Sequence, residues 1–507
     1  MLAAAKGLIA FGINKGDAVT IFSTTRYEWG VLDFALAAIG AVNVPIYDTD
    51  SAAQAERILN DSDVKLAIAD NRERFDRLDS VIDRCPSLKH ILMLDSNAMG
   101  ALEGLGVTVS DEELEARIDS VHADDLATIV YTSGSTGAPK GAELSHRNFI
   151  SITRAGSLAL HEIILEDHPR LLLFLPLAHC FARFIQYASI ASDDGVVGYL
   201  PDTKTLLPDL RSFEPTYLLG VPRVFEKVYN AASRKAGTGW KGRLFLKAAE
   251  AARDWSRMQQ AGERPTAKQI AQHLSYEASV YRTVRSALGP RIRYVACGGA
   301  PLDVSLAHFF NGIGLPMIQG YGMTETAAPF AATRVTDNAI GTVGQPAPGS
   351  SVRISDDGEL QVKGPNVFRG YHNLPEKTAE AFTEDGWLKT GDLASIDDEG
   401  RITITGRKKD IIITAGGKNV SPIPMEQEIV KCPIAEHAVV VGDNRPFIGA
   451  LITLDRKDWK RGCLPLDCLP IRRWIAWLRP PPFTDEIQKY VDKANATVSA
   501  PNPYVSS

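Results

Sequence analysis

Short β-rich runs alternate with segments of helical periodicity from the N-terminus as far as Ala296. The predicted helices of this part include Leu32–Gly40 and Ala52–Leu59. The predicted strands are Ala18–Phe22, Val42–Tyr47, Lys65–Ala69, Leu126–Tyr131, Arg170–Phe174, Tyr217–Gly220 and Ile292–Ala296. Strands that are separated by helices form βαβ units, so we predict an α/β fold built on mostly parallel sheets.

The pattern changes after about Gly341. Val352–Ile354, Glu359–Lys363 and Arg401–Thr405 are short predicted strands with glycine-containing turns between them. Such spacing is typical of a small antiparallel, barrel-like unit, which we expect to follow the parallel sheets.

A long charged segment between Val228 and Arg285 has helical periodicity. Its apolar residues at helical spacing are Leu244, Ala248, Ala251, Trp255 and Met258. One interpretation is a basic amphipathic face that touches a membrane surface. The other, which we favour, is a helix packed against its own domain with its charged side in solvent.

Composition and charge argue against several classes of protein. The 507 residues correspond to about three domains at roughly 150 residues each. A net charge of −6 argues against a nucleic-acid-binding protein, and six cysteines without a Cys-x-x-Cys pair indicate neither a disulfide framework nor a zinc site. The uncharged stretch Val304–Thr324 reaches spanning length but contains several polar residues. We therefore expect a cytoplasmic protein without a secretory signal or a transmembrane segment.

The segment Tyr131–Gly141 is an unbroken run of small and hydroxyl residues that ends in Pro-Lys-Gly. It follows the predicted strand Leu126–Tyr131, and we expect a helix to begin near Ser145 directly behind it. Small residues let the backbone wrap around an anion, and Lys140 supplies a positive charge, so the loop suits a polyphosphate better than a flexible surface turn. It is not a Walker A loop, because Gly141 stands where a magnesium-binding Ser or Thr would follow the lysine.

This loop resembles the phosphate motif of the adenylate-forming enzymes, which include acyl-CoA synthetases, luciferases and the adenylation domains of peptide synthetases. Three further segments resemble motifs of that family in the right order: Gly320–Thr326, Trp387–Asp392 and Gly406–Asp410, with Ala415–Pro422 behind the last. The resemblance implies a large N-terminal domain of two doubly wound αβ subdomains and a small β-barrel-like subdomain. A small α+β C-terminal domain follows it.

The resemblance also assigns roles to individual residues. The catalytic residues are expected to be Lys140, Thr324, Glu325 and Arg407. The residues expected to bind the nucleotide are Thr132, Ser133, Gly134, Ser135, Thr136, Gly137, Gly299, Ala300, Pro301, Tyr321, Gly322, Asp392 and Arg407. Glu325 is expected to hold Mg²⁺, since a carboxylate near phosphate is what this cation requires, while Tyr321 would stack on adenine and Asp392 would accept the ribose hydroxyls. Without the family pattern, Tyr321 would be interpreted as a core aromatic and Asp392 as a turn residue.

The acyl substrate is expected to lie near His179, Gly298 and Gly320. By resemblance His179 contacts a carboxylate, although a lone histidine is more often a core residue. Val221–Phe225 and the helical segment behind it resemble the long-chain fatty acyl branch of the family. The implied reaction uses ATP, Mg²⁺ and coenzyme A to activate a fatty acid. An acyl-AMP ligase that loads a carrier protein, and a non-catalytic ATP or acyl binder, stay open as alternatives, as do the oligomeric state and a peripheral membrane contact.

The C-terminal part departs from the family pattern. We expect a domain boundary between 1–408 and 409–507, with Lys409 at the hinge and Gly416, Gly417 and Lys418 in a loop on the coenzyme A side. The segment 460–482 has no clear period, which suggests a sequence disruption or a lineage-specific insertion, and a predicted helix resumes at Thr484–Ala494. In the family a catalytic lysine lies close to the C-terminus, and no residue here matches it. If the chain ends at Ser507, we expect adenylation to be impaired by ~10²–10³ in rate, with thioester formation from a supplied acyl-adenylate retained.

Overall fold

The computed structural model describes residues 1–132, 139–165, 168–192, 194–237, 239–415, 419–432, 435–443, 445, 447–454 and 487–495. The chain divides into two compact units. The larger unit consists of Met1–Arg353, Gln361–Thr390 and Ile396–Thr403. The smaller unit consists of Ile354–Leu360, Gly391–Ser395 and the described residues from Ile404 onward.

The helices are named in chain order. They are α1 (Leu2–Ala10), α2 (Tyr27–Ala38), α3 (Ala52–Asp61), α4 (Arg72–Asp79), α5 (Ala98–Gly106), α6 (Asp111–Asp119), α7 (His146–Ala159), α8 (His161–Ile164), α9 (Cys180–Ile190), α10 (Leu206–Phe213), α11 (Pro222–Ala236), α12 (Trp240–Gln260), α13 (Ala267–Tyr276), α14 (Arg282–Ala287), α15 (Val304–Gly312), α16 (Pro375–Ala381) and α17 (Ile423–Val430). Residues 487–495 are also helical, in agreement with the helix predicted there.

The strands are named in the same way. They are β1 (Ala18–Phe22), β2 (Val42–Asn43), β3 (Leu66–Ala69), β4 (His90–Met93), β5 (Leu126–Thr132), β6 (Lys140–Ser145), β7 (Arg170–Leu173), β8 (Val196–Tyr199), β9 (Tyr217–Gly220), β10 (Tyr294–Cys297), β11 (Met317–Met323), β12 (Ala328–Ala332), β13 (Gln345–Pro346), β14 (Ser351–Ile354), β15 (Glu359–Lys363), β16 (Gly370–Tyr371), β17 (Leu388–Ile396), β18 (Ile402–Arg407), β19 (Ile412–Ile413), β20 (Asn419–Val420), β21 (Ala435–Val441) and β22 (Gly449–Leu454).

Two seven-stranded sheets form the frame of the larger unit. Their strand orders are β16-β6-β5-β2-β1-β3-β4 and β13-β12-β11-β10-β9-β7-β8. In both sheets the body is parallel, as the βαβ pattern predicts, whereas β6 and β16 in the first and β12 and β13 in the second pair antiparallel. Each sheet therefore carries an antiparallel edge. The strands that flank the predicted phosphate loop belong to the first of these edges, and the segment Gly320–Thr326 lies at the second.

The parallel strands are short and apolar because both of their faces are covered. All five side chains of β1 are buried, and Phe22 packs in one cluster with Ile58 of α3 and Ile129 of β5. A second cluster around β9 and β10 contains Phe225 and Phe310, whose rings meet edge to face at 5.7 Å. These two cores hold the sheets from which the site is built.

The predicted strand Val42–Tyr47 is regular only at Val42–Asn43. The Val44 and Ile46 amides still donate to the oxygens of Val19 and Ile21, but Pro45 between them has no N–H to donate. The missing donor prevents a continuous ladder, which explains why the strand is shorter than predicted.

The segment 228–285 contains most of α11, together with α12, α13 and α14. Of the predicted apolar stripe of α12, Ala248 and Met258 are buried, whereas Leu244, Ala251 and Trp255 are partly exposed. The buried face also includes Phe245, Ala249, Ala252 and Ser256. This face packs on α15, where an added Cβ at Gly312 would lie 1.8 Å from the Ala252 carbonyl oxygen. The close packing agrees with the interpretation of a helix covering its own domain.

The smaller unit has its own apolar cluster. It is formed by Ile412 of β19, Val420 of β20, Met425 and Ile429 of α17, Val440 of β21, and Ala494. A further four-stranded sheet has the order β14-β15-β17-β18. In the described part of the chain, no helix is both long and apolar enough to cross a membrane, and the uncharged stretch Val304–Thr324 is divided between α15 and β11.

Candidate active site

The predicted phosphate loop connects two antiparallel strands. Thr132 ends β5 and Lys140 begins β6, and the two residues pair across the hairpin. The helix predicted to begin near Ser145 is present, since α7 begins at His146 after a capping box of Ser145 and Asn148. The sequence did not predict that Lys140–Ser145, between the loop and this helix, forms a strand. The predicted residues Ser133, Gly134, Ser135, Thr136 and Gly137 lie outside the described residues.

Gly141 has a packing role that the sequence does not reveal. An added Cβ would lie 2.6 Å from Ile129 Cγ2 and 3.0 Å from Tyr131 Cζ, distances that real Cβ atoms avoid. The hairpin therefore has no room for the Ser or Thr that a Walker A loop would place after Lys140.

Lys140 and Glu325 are connected through one aromatic side chain. The ammonium of Lys140 lies 4.2 Å from the centroid of the Tyr371 ring, at cation–π distance. The Tyr371 hydroxyl donates a hydrogen bond of 2.7 Å to Glu325 Oε1. Burial, and then the negative charge of Glu325, raises the pKa of Tyr371, so the phenol stays protonated and remains a donor.

Thr324 and Glu325 form the turn between the antiparallel strands β11 and β12. Both side chains are buried, and Glu325 is only 7% exposed. The Thr326 hydroxyl accepts a hydrogen bond from the Met323 amide at 3.0 Å, and Ala327 adopts a left-handed φ of 63° that closes the turn. The carboxylate is therefore presented by a short, internally bonded turn.

Two glycines before this turn lie so close to the neighbouring strand that a side chain has little room. An added Cβ at Gly322 would lie 2.3 Å from the Ala328 carbonyl oxygen, and one at Gly320 would lie 3.2 Å from Pro329 Cβ. Between them the partly exposed Tyr321 ring meets Phe330 edge to face at 5.3 Å. Close packing therefore explains both glycines.

Two of the predicted acyl-site residues, Gly298 and Gly320, lie close together where the parallel strands end. Gly298 follows β10, and an added Cβ there would contact both Phe181 Cζ, at 2.9 Å, and the Gly320 oxygen, at 3.2 Å. Gly299 has a φ of +78°, which favours glycine, and Ala300 and Pro301 behind it are exposed. Ligand crevices of open α/β sheets lie at this end of the strands.

His179 caps the N-terminus of α9 with its ring. Its Nδ1 accepts a hydrogen bond of 3.1 Å from the Phe181 amide, so the neutral ring carries its proton on Nε2. Solvent reaches the side chain, yet the protein around it lowers the pKa of His179 by desolvation. The neighbouring Cys180 is buried, and burial with a smaller contribution from the Glu325 charge raises its pKa to about 12.

The smaller unit brings together the predicted ribose residue and the first hinge residues. Asp392 on β17 is buried, and its Oδ1 accepts a hydrogen bond of 3.1 Å from Arg407 Nε at the end of β18. Glu359 accepts the Gly391 amide at 2.8 Å and pairs with Lys408 at 3.1 Å. Lys409 is exposed. The predicted loop residues Gly416, Gly417 and Lys418, and the anomalous segment 460–482, lie outside the described residues.

The sequence did not predict a role for Tyr371 or for the neighbouring ion pair between His372 and Glu143. His372 Nδ1 lies 2.8 Å from Glu143 Oε1 of β6, and the hydrogen bond between them raises the pKa of His372 and lowers that of Glu143. The sequence signal was only a glycine followed by an aromatic residue, which is common in cores. Their role depends on the pairing of β16 with β6, more than two hundred residues apart in sequence.

The carboxylate of Glu325 fits a magnesium ion that also binds phosphate. Among the described residues, no group of three or more His, Cys, Asp and Glu could hold a metal by itself. Magnesium, however, is commonly bound by one or two carboxylates together with substrate phosphates. Glu325 Oε1 is engaged by Tyr371, and no lysine or arginine of the described chain forms an ion pair with this buried carboxylate, which leaves it suited to a cation.

Comparisons with known proteins agree with this architecture. Residues 1–372 match the family model for the AMP-binding enzymes, and residues 409–502 match the model for the C-terminal domain of AMP-binding enzymes. Among curated relatives, the long-chain-fatty-acid–CoA ligase FadD15 of Mycobacterium bovis is 47% identical over 465 residues, which cover 90% of this chain and 77% of that protein. The long-chain-fatty-acid–CoA ligase heimdall of Drosophila melanogaster is 30% identical and covers 94% of this chain and 73% of its own.

A solved structure shows the same fold. The ATP-bound crystal structure of MatB from Rhodopseudomonas palustris has a TM-score of 0.68 and 28% identity, covering 90% of this chain and 83% of that one. The two antiparallel edges that carry Lys140 and Glu325 thus occur in an architecture shared with nucleotide-binding proteins. By its matching family model and by its relatives, the chain belongs to the AMP-binding enzymes.

Proposed function

We propose that the chain is a long-chain fatty acid–CoA ligase. It would couple the carboxylate of a fatty acid to the α-phosphorus of ATP, and then transfer the acyl group to coenzyme A. The observation that carries this proposal is the contact chain Lys140–Tyr371–Glu325, which joins a cation at the phosphate loop to a buried carboxylate. The identity to FadD15 of Mycobacterium bovis supports the choice of a long-chain fatty acid.

In the first step, a carboxylate oxygen attacks the α-phosphorus, the bond to the bridging oxygen breaks, and pyrophosphate leaves with its electron pair. No protein nucleophile is needed, so positioning and charge neutralisation carry the catalysis. We assign Lys140 to the β- and γ-phosphates and Thr324 to the α-phosphate. Bound at Glu325, Mg²⁺ would neutralise phosphate charge.

In the second step, the sulfur of coenzyme A attacks the acyl carbon and AMP leaves. The first step activates the acid for this reaction, because AMP is a far better leaving group than oxide. We assign Asp392 to the ribose hydroxyls and Arg407 to the ribose or phosphate. The domain boundary at Lys409 and the coenzyme A loop Gly416–Lys418 belong to the same proposal and follow from the family resemblance.

The acyl carboxylate is assigned to the region of His179, Gly298 and Gly320. A neutral imidazole with its proton on Nε2 can donate a hydrogen bond to a carboxylate oxygen without trapping it in an ion pair. Because ATP and coenzyme A are intracellular, we also propose a cytoplasmic location. A peripheral membrane contact remains a prediction.

The proposal is tested by AMP release against a panel of fatty acids of different chain length, with and without coenzyme A. We expect AMP and acyl-CoA in equal amounts, with the highest rates for long chains. AMP formed without thiol consumption would favour loading of a carrier protein. Binding of ATP without AMP release under any condition would contradict a ligase and favour a non-catalytic binder.

A further inference from the structure

Tyr371 contacts both charged residues of the proposed triphosphate site. Its ring lies under the ammonium of Lys140 at 4.2 Å, and its hydroxyl donates to Glu325 Oε1 at 2.7 Å. Lys140 is in β6 and Glu325 is in the turn after β11, so the two belong to different seven-stranded sheets. Tyr371 therefore determines the distance between the Lys140 ammonium and the Glu325 carboxylate, which lie on separate elements.

Tyr371 is itself firmly held. Its amide donates to Thr378 Oγ1 at 2.8 Å, and it pairs with Ala142 in the β16–β6 ladder. The Phe368 ring packs on it edge to face at 5.0 Å. A side chain restrained on its backbone and on its ring has few alternative rotamers, so its hydroxyl has a defined position.

The segment 365–372 is also tied to the Glu325 turn. The Phe368 amide donates to the Glu325 carbonyl oxygen at 2.9 Å, and Asn366 Nδ2 donates to the Thr326 oxygen at 3.3 Å. From the other side, Asn148 Nδ2 donates to the oxygens of Pro365 and Val367 at 2.9 and 2.8 Å. These bonds fix Tyr371 relative to both strands that it bridges.

We propose that Tyr371 is a positioning residue for the metal–triphosphate complex: its hydroxyl occupies Glu325 Oε1 so that Oε2 is directed to the cation, and its ring holds the Lys140 ammonium beside the phosphates. This inference rests on the proposed function and adds a residue to it. Partners that orient a metal-binding carboxylate typically change metal affinity by ~10–100-fold when they are removed.

Two substitutions separate the two contacts. Tyr371→Phe keeps the ring under Lys140 and removes only the hydroxyl, whereas Tyr371→Leu removes both contacts. The matched control is Tyr27→Phe, which removes a hydroxyl from an exposed tyrosine at the start of α2. Thermal unfolding of each variant verifies that it is folded.

The decisive readout is binding of Mn²⁺, measured by electron paramagnetic resonance in the presence of a non-hydrolysable ATP analogue. We expect Tyr371→Phe to weaken Mn²⁺ binding by ~10–100-fold and to raise the Mg²⁺ concentration for half-maximal AMP formation, with kcat at saturating Mg²⁺ preserved. Tyr371→Leu should in addition raise the KM for ATP. In a Glu325→Gln background, Tyr371→Phe should have no further effect on Mn²⁺ binding, since it acts through that carboxylate.

The outcomes distinguish this inference from the proposed function. Mn²⁺ binding by Tyr371→Phe equal to that of the wild-type chain would overturn the positioning role, even if the ligase reaction is observed. If Tyr371→Phe binds Mn²⁺ more weakly than the wild-type chain, but the wild-type chain activates no fatty acid, the positioning role is supported and the proposed function is contradicted. A wild-type chain that binds neither Mn²⁺ nor the ATP analogue would overturn both.

Discussion

Arg183 of α9 forms a buried ion pair with Asp33 of α2, with 2.5 Å between Nη2 and Oδ1 and both side chains only 2% exposed. Arg183 also donates to the Thr128 hydroxyl of β5 at 2.9 Å, and the rings of Trp29 and Phe149 lie at 5.3 and 5.0 Å from its guanidinium. Since α9 begins directly after His179, the ion pair connects the proposed acyl-site helix to α2, and the bond to Thr128 connects it to the strand that precedes the phosphate loop.

We predict that Arg183→Met destabilises the chain by about 3–5 kcal/mol, because it leaves the Asp33 carboxylate buried without its cation. The double variant Arg183→Met/Asp33→Asn should recover part of the loss. The measurement is denaturant-induced unfolding, and Arg154→Met, at an exposed arginine of α7, is the control. Equal stability of Arg183→Met and the control would show that the pair is dispensable.

We predict that Lys140→Ala and Glu325→Gln each slow fatty-acid-dependent AMP formation by ~10²–10³, the usual cost of losing one preorganised charged group. Pyrophosphate exchange isolates this first step. Thioester formation from supplied acyl-adenylate should change much less, since the triphosphate has already left. An unchanged exchange rate in either variant would remove that residue from the proposed role.

We predict that Asp392→Asn reduces the preference for ATP over 2′-deoxy-ATP. A carboxylate accepting a ribose hydroxyl contributes ~1.5–3 kcal/mol, or roughly 10–100-fold in kcat/KM. The same change weakens the bond to Arg407 Nε. If Asp392→Asn lowers kcat/KM for both nucleotides by the same factor, the residue orients Arg407 rather than the ribose.

We predict that the His372–Glu143 pair stabilises the fold most between about pH 5 and pH 6. The pKa of His372 is raised above its ordinary 6.5 by the hydrogen bond to Glu143, so its contribution is complete below 6.5 and is lost as the pH rises through the raised value. The pKa of Glu143 is lowered below its ordinary 4.5 by the same bond, so its contribution is complete above 4.5 and is lost as the pH falls through the lowered value.

The measurement is the difference in Tm between the wild-type chain and His372→Gln. We expect the difference in Tm to be larger at pH 5.5 than at pH 8.5, because the pair contributes of order 1 kcal/mol more to the free energy of unfolding at the lower pH. A Tm difference that increases toward pH 8.5 would contradict a stabilising role for the protonated form of His372.

Much of the architecture was predictable because strands buried on both faces have a clear apolar pattern. Tyr217–Gly220 and Glu359–Lys363 were predicted at their observed bounds. Pairing across a sheet edge was not predictable, since Lys140–Ser145 becomes a strand only by bonding to β5 and β16. The same reason explains why Leu244, Ala251 and Trp255 of the predicted α12 stripe are only partly buried, since contacts with α15 select the buried face.

For the site, the residues that touch nucleotide and metal in the family lie in short ordered motifs, so Lys140, Glu325 and Asp392 could be named from sequence alone. Tyr371 could not, since its importance comes from two contacts with residues that are distant in sequence. Charged residues in a motif indicate a candidate site from the sequence alone. The residues that orient them cannot be recognised until the fold shows which side chains they contact.

The central claim is that the cation at the start of β6 and the carboxylate after β11 hold one metal–triphosphate complex. A crystal structure of the chain with Mn²⁺ and a non-hydrolysable ATP analogue tests it directly, since the anomalous signal locates the metal. We predict Mn²⁺ bonded to Glu325 and the β- and γ-phosphates beside Lys140. A metal bonded elsewhere, or a triphosphate away from Lys140, would contradict the account.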